Sequence, residues 1–483
     1  MKSRAGAALC AFAFAFAAWT AVGVARAGEV RKGTSPTVAA YFERAKANRA
    51  TLVAFLHKMP KGGDLHNHPL GAVSTESIVA RAVDKGLYYD RENKTLTRTK
   101  PTGPHYAPDE LNEVYWKTGE VLEGLSMRNL EKGEDSGHDH FFRAFDRYAA
   151  AYAEDLPIYR EMFRRAVSQE ISYLELMSVA PRDKQWAARV EKIRREVLDE
   201  FATLGVHRDL TVRIIMPLLR LLPPELFAET VRATFDTAEF FPDLVVGITI
   251  LAPEDDPTSQ KYFREHMAII DAEVRKRCEA FRLDPENTRP PPALALHAGE
   301  LTLEYAAYES MRDRISHTLK TGHASRIGHG TSVMWEDDVY GLLKSMRDCR
   351  TAVEICPTSS EGILKVSGGA AHPFRLYWDA GVPVVIATDD EGISRTNLTL
   401  EFAKIAEWFD LSYGEIKWLA HSSLEYAFIP GESLFQEGDF NAPRADARAV
   451  AAGSRKAALQ QRLMDDFAAF ERKMEGTIAE FGW

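Results

Sequence analysis

Eight short strand-like runs, separated by stretches of helical periodicity, constrain this chain more than any other feature. They span residues 64–68, 173–179, 211–217, 244–251, 293–298, 325–329, 352–356 and 382–388. Most are continuously apolar, as parallel strands buried on both faces are. Helical patterns fill most of the gaps, at 186–204, 224–239, 262–281, 303–321 and 339–347. Eight strands alternating with helices predict an α/β fold, the (β/α)8 barrel. Chemistry in that fold is done where the strands end, at their C-terminal face.

Four of the eight runs end in polar groups suited to one task. The first ends in His66-Asn67-His68, the fifth in His297-Ala298-Gly299-Glu300, the sixth in Arg326-Ile327-Gly328-His329-Gly330 and the eighth in Thr388-Asp389-Asp390. Histidines two apart on a strand point to the same side. His66 and His68 can therefore reach one ion, with His297 and Asp389 arriving from other strands. Neutral imidazoles and one carboxylate suit Zn2+, one per chain, and leave a coordination position open for water.

Three further groups stand beside that set. Glu300 lies where a strand gives way to a turn, close to the ion yet free to carry a proton; a helix-capping carboxylate is the alternative. His329 sits between two glycines that allow close backbone approach. It is placed to orient or deprotonate water, or else to serve as a further nitrogen ligand. Asp390 diverges from Asp389 and faces substrate, or caps the next helix. A second His-x-His, His138-Asp139-His140, has no apolar run leading into it. It reads as a pocket-lining or surface segment rather than a second metal site.

The first two strands are about a hundred residues apart, far beyond an ordinary connection. Residues 84–108 look polar and turn-rich, and helices are expected through Tyr115 and Leu125 and over 141–166. This is an insertion, at about 85–140, leaning over the barrel mouth. Ser35-Pro36 starts a helix expected to run on to Met59-Pro60. A long terminal helix carries Leu459, Leu463, Phe467, Phe470 and Met474 on one face.

The first residues have a different character. Lys2 and Arg4 precede an apolar stretch over 5–24, and Ala25-Arg26-Ala27 fits a leader cleavage site. The organisation expected is therefore a signal peptide over 1–27, a helical extension over 28–58, a barrel over 59–430 and a second helical extension over 431–483. The protein would be exported, periplasmic or secreted, with no membrane association after leader removal. A formal charge of −10 argues against nucleic acid as a partner. Cys278, Cys349 and Cys356 remain after cleavage, without zinc-finger spacing, and Cys356 reads as a small buried residue.

These motifs resemble the adenosine and AMP deaminase family of the amidohydrolase superfamily over roughly 59–430. Met59-Pro60-Lys61-Gly62-Gly63 and Asp139-His140-Phe141-Phe142 are similar to its secreted branch, the adenosine deaminase-related growth factors. Glu354-Ile355-Cys356-Pro357-Thr358-Ser359 resembles the seventh-strand motif, and Ser422-Ser423-Leu424-Glu425-Tyr426-Ala427-Phe428 a late family helix. The resemblance implies zinc on His66, His68, His297 and Asp389. It implies Glu300 protonating purine N1, His329 positioning the attacking hydroxide and Asp390 bonding purine N7. It also implies a homodimer through the N-terminal helix, for which an intramolecular cap is an equal alternative.

Three places depart from the family pattern. Pro69 and Leu70 stand where an acidic residue often meets the ribose. Ala252 replaces the glycine whose amide meets the purine. Glu391 follows Asp390 in place of proline. The reading is zinc-dependent deamination of adenosine, and of 2'-deoxyadenosine, a small purine nucleoside being the partner. The alternatives are a deaminase of a modified adenosine or other aminopurine, and a non-catalytic binding protein on the same barrel.

Overall fold

The computed structural model describes residues 33–128, 136–152, 156–179, 184–436 and 438–483. The expected leader lies outside the described residues. Among them, no helix is long and apolar enough to cross a membrane.

Among the described residues eleven strands form two sheets. In chain order they are β1 (Gly62–Asn67), β2 (Tyr88–Asp90), β3 (Thr95–Thr97), β4 (His105–Tyr106), β5 (Ile171–Met177), β6 (Thr211–Leu219), β7 (Val245–Leu251), β8 (Ala293–Ala298), β9 (Arg326–His329), β10 (Ala352–Ile355) and β11 (Val384–Ile386). Eight of them pair in the order β1-β5-β6-β7-β8-β9-β10-β11, each neighbour running parallel to the next. The ring closes at a parallel bridge between Asn67 and Asp389. There Asp389 donates its backbone N–H to His66 O at 2.8 Å, and His68 donates to Asp389 O at 3.2 Å. All eight strand-like runs are barrel strands, and burial on both faces accounts for the apolar residues that fill most of them.

Other expectations need correction. Residues 84–108 hold a three-stranded antiparallel sheet, β3-β2-β4, rather than a plain loop. Its strands are only two or three residues long, too short for alternation to stand out. The N-terminal helix is two helices, Pro36–Ala45 and Arg49–Lys58. Asn48 breaks it by accepting the backbone N–H groups of Ala50 and Thr51, an N-cap that starts the second helix. The stretch 141–166 is likewise divided into Gly137–Tyr148 and Leu156–Ser168, and 303–321 into Tyr308–Met311 and Arg314–Lys320.

The N-terminal helices bury their apolar side against this chain's own C-terminal helix, Arg455–Phe481. Phe55 meets Phe470 edge-on at 5.2 Å, and Phe42 packs on Tyr413 at 5.9 Å. Burying each such ring contributes roughly 1.5–3 kcal/mol. Phe467 and Phe470 of the expected terminal face are buried there, as is Leu463. The three described cysteines are free, with Cys356 buried.

Candidate active site

His66 ends β1, and His68 follows just beyond it. Their Nε2 atoms are 3.1 Å apart. Asp389 Oδ1 lies 3.2 Å from His68 Nε2 and 3.6 Å from His66 Nε2. His297, on β8, puts a ring nitrogen within 4.8 Å of those of His66 and His68. Donors at about 2.0–2.1 Å in a tetrahedron stand roughly 3.3–3.4 Å from one another. The short separations around Asp389 fit that edge length. Gly328 makes room, since a Cβ there would lie 3.0 Å from His66 Cε1.

The outer atoms of these ligands are also held. His66 Nδ1 meets Glu354 Oε2 at 2.7 Å, and His297 Nδ1 meets the Thr249 hydroxyl at 3.1 Å. Both bonds leave Nε2 facing the cluster. Burial favours the neutral form of His68 and His297, and holds their pKa values below the usual imidazole range. Burial opposes the charge on Asp389, but hydrogen bonds from His66 and His68 outweigh it and keep the carboxyl ionised. Burial opposes the charge on His66 too, but hydrogen bonds with Asp389 and Glu354 outweigh it and raise its pKa to about 10. With a cation in place of that proton, three imidazoles and one carboxylate form a buried donor set.

Glu300, His329 and Asp390 face the same space. Glu300 follows β8 through Gly299, whose φ is +85°. The backbone N–H groups of Gly299 and Glu300 donate to Glu254 Oε1 and Oε2 at 3.1 and 2.8 Å. Burial, then the nearby carboxylates of Asp389 and Glu254, push the Glu300 pKa well above the carboxylate range. His329 Nε2 is 3.7 Å from Glu300 Oε2, and burial lowers its pKa to about 3. Its nitrogen also lies within 4.8 Å of donors on His66 and Asp389, so a ligand role is geometrically open to it. Burial and neighbouring Asp389 raise the Asp390 pKa, and its Oδ1 has no hydrogen-bond partner. That oxygen packs against Gly71, and the carboxyl lies beside the metal-type cluster, with an oxygen within 4.8 Å of donors on His68 and Asp389.

Strain gathers at these strand ends. His329, Asp389 and Ala252 have φ of +63°, +60° and +91°. Side chains rarely occupy that region, and such strain marks functional sites. Ala252 thus keeps a glycine-type backbone without being glycine.

His138 and His140 do not form a second metal site. They lie two apart on the helix Gly137–Tyr148, where side chains two positions apart point to different faces. His138 Nε2 pairs with Asp255 Oδ1 at 2.9 Å and its ring stacks on Tyr305 at 4.6 Å. His140 bonds Ser126 O. The insertion is thereby pinned to the loops after β7 and β8. The seventh-strand motif contains Glu354 without stating its work, and the same holds of Glu254, two residues past Ala252. Their signal was a carboxylate at, or just past, the end of an apolar strand.

A barrel with three imidazoles and a carboxylate at its C-terminal rim, and an acid and a neutral histidine beside them, is that of a metal-dependent hydrolase. Comparison with known proteins narrows this. The adenosine deaminase family model matches residues 123–435, and the chain belongs to that family. It is a hydrolase acting on C–N bonds. It is 25% identical over 378 residues to an adenosine deaminase-like protein of Drosophila pseudoobscura pseudoobscura, covering 77% of this chain and 92% of that one. An adenosine deaminase of Enterococcus faecalis is 37% identical over 136 residues, 28% of this chain; the chain spans only 37% of that protein's length. An amidohydrolase from Burkhoderia ambifaria with bound Zn shares the fold at 18% identity and a TM-score of 0.50, over 91% of this chain and 97% of that one.

Proposed function

We propose that this protein deaminates adenosine and 2'-deoxyadenosine to inosine-type products and ammonia, with zinc on His66, His68, His297 and Asp389. The observation that carries the reading is the convergence of Glu300, His329 and Asp390 on the space beside that donor set. The Zn reported with the Burkhoderia ambifaria amidohydrolase favours the same metal. Zinc held there supplies the Lewis acidity that makes water a nucleophile near neutral pH.

The chain's own residues do the rest. Glu300, kept protonated by burial, delivers its proton to purine N1 and draws electron density from C6. His329, kept neutral, accepts a proton from the attacking water. Asp390, also kept protonated, donates a hydrogen bond to N7 and fixes the ring plane. A hydroxyl joins C6, His329 passes the water's proton to N6, the C6–N6 bond breaks and ammonia leaves with that one proton; the proton of the C6 hydroxyl returns to Glu300, leaving C6=O and N1–H in the product. The insertion, tied down through His138 and Asp255, limits water at the mouth.

A second substrate reading has its own support. Ala252 carries a methyl group on a backbone held at φ +91°, and Pro69 and Leu70 offer no carboxylate beside the second histidine. Both features favour a modified adenosine or another aminopurine. A kinetic panel of adenosine, deoxyadenosine, methylthioadenosine, AMP and adenine decides between the two. Adenosine turned over far worse than another member overturns the first. The basic start, apolar run and Ala25-Arg26-Ala27 support action outside the cytoplasm.

A further inference from the structure

Behind His66 the barrel interior carries an unbroken line of charge. Glu354 takes His66 Nδ1 on Oε2 at 2.7 Å and accepts Arg326 Nε on Oε1 at 2.6 Å. Arg326 Nη2 donates to Glu175 Oε2 at 2.6 Å. Glu175 Oε1 accepts the Tyr173 hydroxyl at 2.7 Å and the Phe428 N–H at 2.6 Å. Arg326 also donates Nη1 to Tyr426 O at 2.8 Å, and its guanidinium lies 3.8 Å from the centre of the Phe428 ring. Glu354 and Glu175 are 0% exposed and Arg326 is 1%. The line crosses β10, β9 and β5 and ends on the segment after helix Tyr413–Glu425, which floors the barrel.

Three buried charges are an expensive filling for a barrel, and apolar side chains of the same volume usually serve stability as well or better. Their arrangement has a direction, however. It delivers one carboxylate oxygen to one nitrogen of one proposed ligand. His297, by contrast, rests on the neutral Thr249 hydroxyl.

We propose that Glu354 is a positioning residue for His66, fixing the Nδ1–H tautomer so that Nε2 turns its lone pair toward the metal, and that Arg326, Glu175 and residues 426–428 hold Glu354 in place. This rests on the metal reading above. Both oxygens of Glu354 are needed as acceptors, one for each neighbour. A carboxamide has one acceptor and one donor group. In Glu354→Gln, the NH2 group either opposes Arg326 Nε or meets His66 Nδ1. The second arrangement moves the imidazole proton to Nε2, where it blocks coordination. Carboxylate partners of this kind orient metal-binding histidines and raise their basicity.

The test is the Zn2+ affinity of the full-length apo-protein, measured by competition with a chromophoric chelator, with far-UV circular dichroism and melting recorded for each variant. Glu354→Gln is expected to bind Zn2+ about 10–100-fold more weakly while keeping its fold. Glu175→Gln, one step removed, is expected to lose a smaller factor. A purely structural role would lower the apo melting temperature and leave the affinity of the folded protein unchanged. Wild-type affinity in folded Glu354→Gln overturns the inference. Should that variant not fold, Glu175→Gln decides: weakened binding supports the relay, and unchanged binding overturns it. His66→Ala separates the two levels. If it binds Zn2+ like the wild type, the metal reading itself fails; if it alone loses Zn2+, only the relay fails.

Discussion

Glu300 Oε2 and His329 Nε2 face each other across 3.7 Å with opposite preferences for a proton. Burial keeps the carboxyl protonated and the imidazole neutral, the carboxyl pushed up by Asp389 and Glu254 as well. One group gives a proton where the other takes one. Substituting Glu300→Gln removes the donor and keeps the shape. Ammonia release from adenosine should fall about 10²–10⁴-fold with zinc content unchanged. The wild-type rate should decline as pH rises through the elevated Glu300 ionisation. Near-normal turnover in the variant would remove Glu300 from the mechanism.

Gly71 lies in the short helix Pro69–Ala72, directly against Asp390. A Cβ at Gly71 would stand 1.7 Å from Asp390 Oδ1, so Gly71→Ala must displace that carboxyl. A misplacement of about 1 Å at a reacting site costs on the order of 10²-fold in rate. We expect kcat/KM to drop by that order in Gly71→Ala while the bound metal stays. Unchanged kinetics would mean that Asp390 does not touch substrate.

Ala252 holds φ +91° without being glycine. A left-handed residue with a Cβ costs about 1–2 kcal/mol, while glycine loses about 0.4–1 kcal/mol through a freer unfolded chain. The first outweighs the second. Ala252→Gly should therefore be about 1 kcal/mol more stable in denaturant unfolding of the apo-protein. A destabilised variant would show that the Ala252 methyl makes contacts worth more than the strain.

His421 and His372 are buried, and burial lowers their pKa values to about 3 and about 4 from 6.5. The unfolded chain binds protons at these sites before the folded one does. Their contribution to stability is complete above pH 6.5 and is lost as pH falls toward 3–4. Each removes roughly 1.4 kcal/mol per pH unit within that window. His421 stacks on Phe467 at 5.4 Å, so Phe fits its place. Unfolding free energy measured against pH should be flatter for His421→Phe by about one histidine's slope. Parallel curves would assign acid lability elsewhere.

The barrel was legible because parallel strands buried on both faces leave mostly apolar runs, as 244–251 and 293–298 do. The proposed donors were legible for the same reason: His66, His297 and Asp389 interrupt that monotony at strand ends. Helix breaks were not. Asn48 divides a continuous apolar periodicity by a side-chain bond to the next turn, and an asparagine inside a helical pattern announces nothing until its partners are known. The sheet β3-β2-β4 was too short to carry a period. The support of the site was hidden more deeply. Glu354 meets His66 from 288 positions away, and Glu254 holds the Glu300 backbone from the loop after β7. Those pairings depend on closure of the ring, which local sequence does not state.

The seam between Asn67 and Asp389 gives the molecule a built-in order of assembly. The last strand cannot dock without laying its aspartate beside the two histidines of the first. A chain still emerging from the ribosome, or clipped ahead of that aspartate, holds three imidazoles and no carboxylate to unite them. On the zinc reading proposed above, the full donor set therefore comes together only when the polypeptide's late portion finds its beginning.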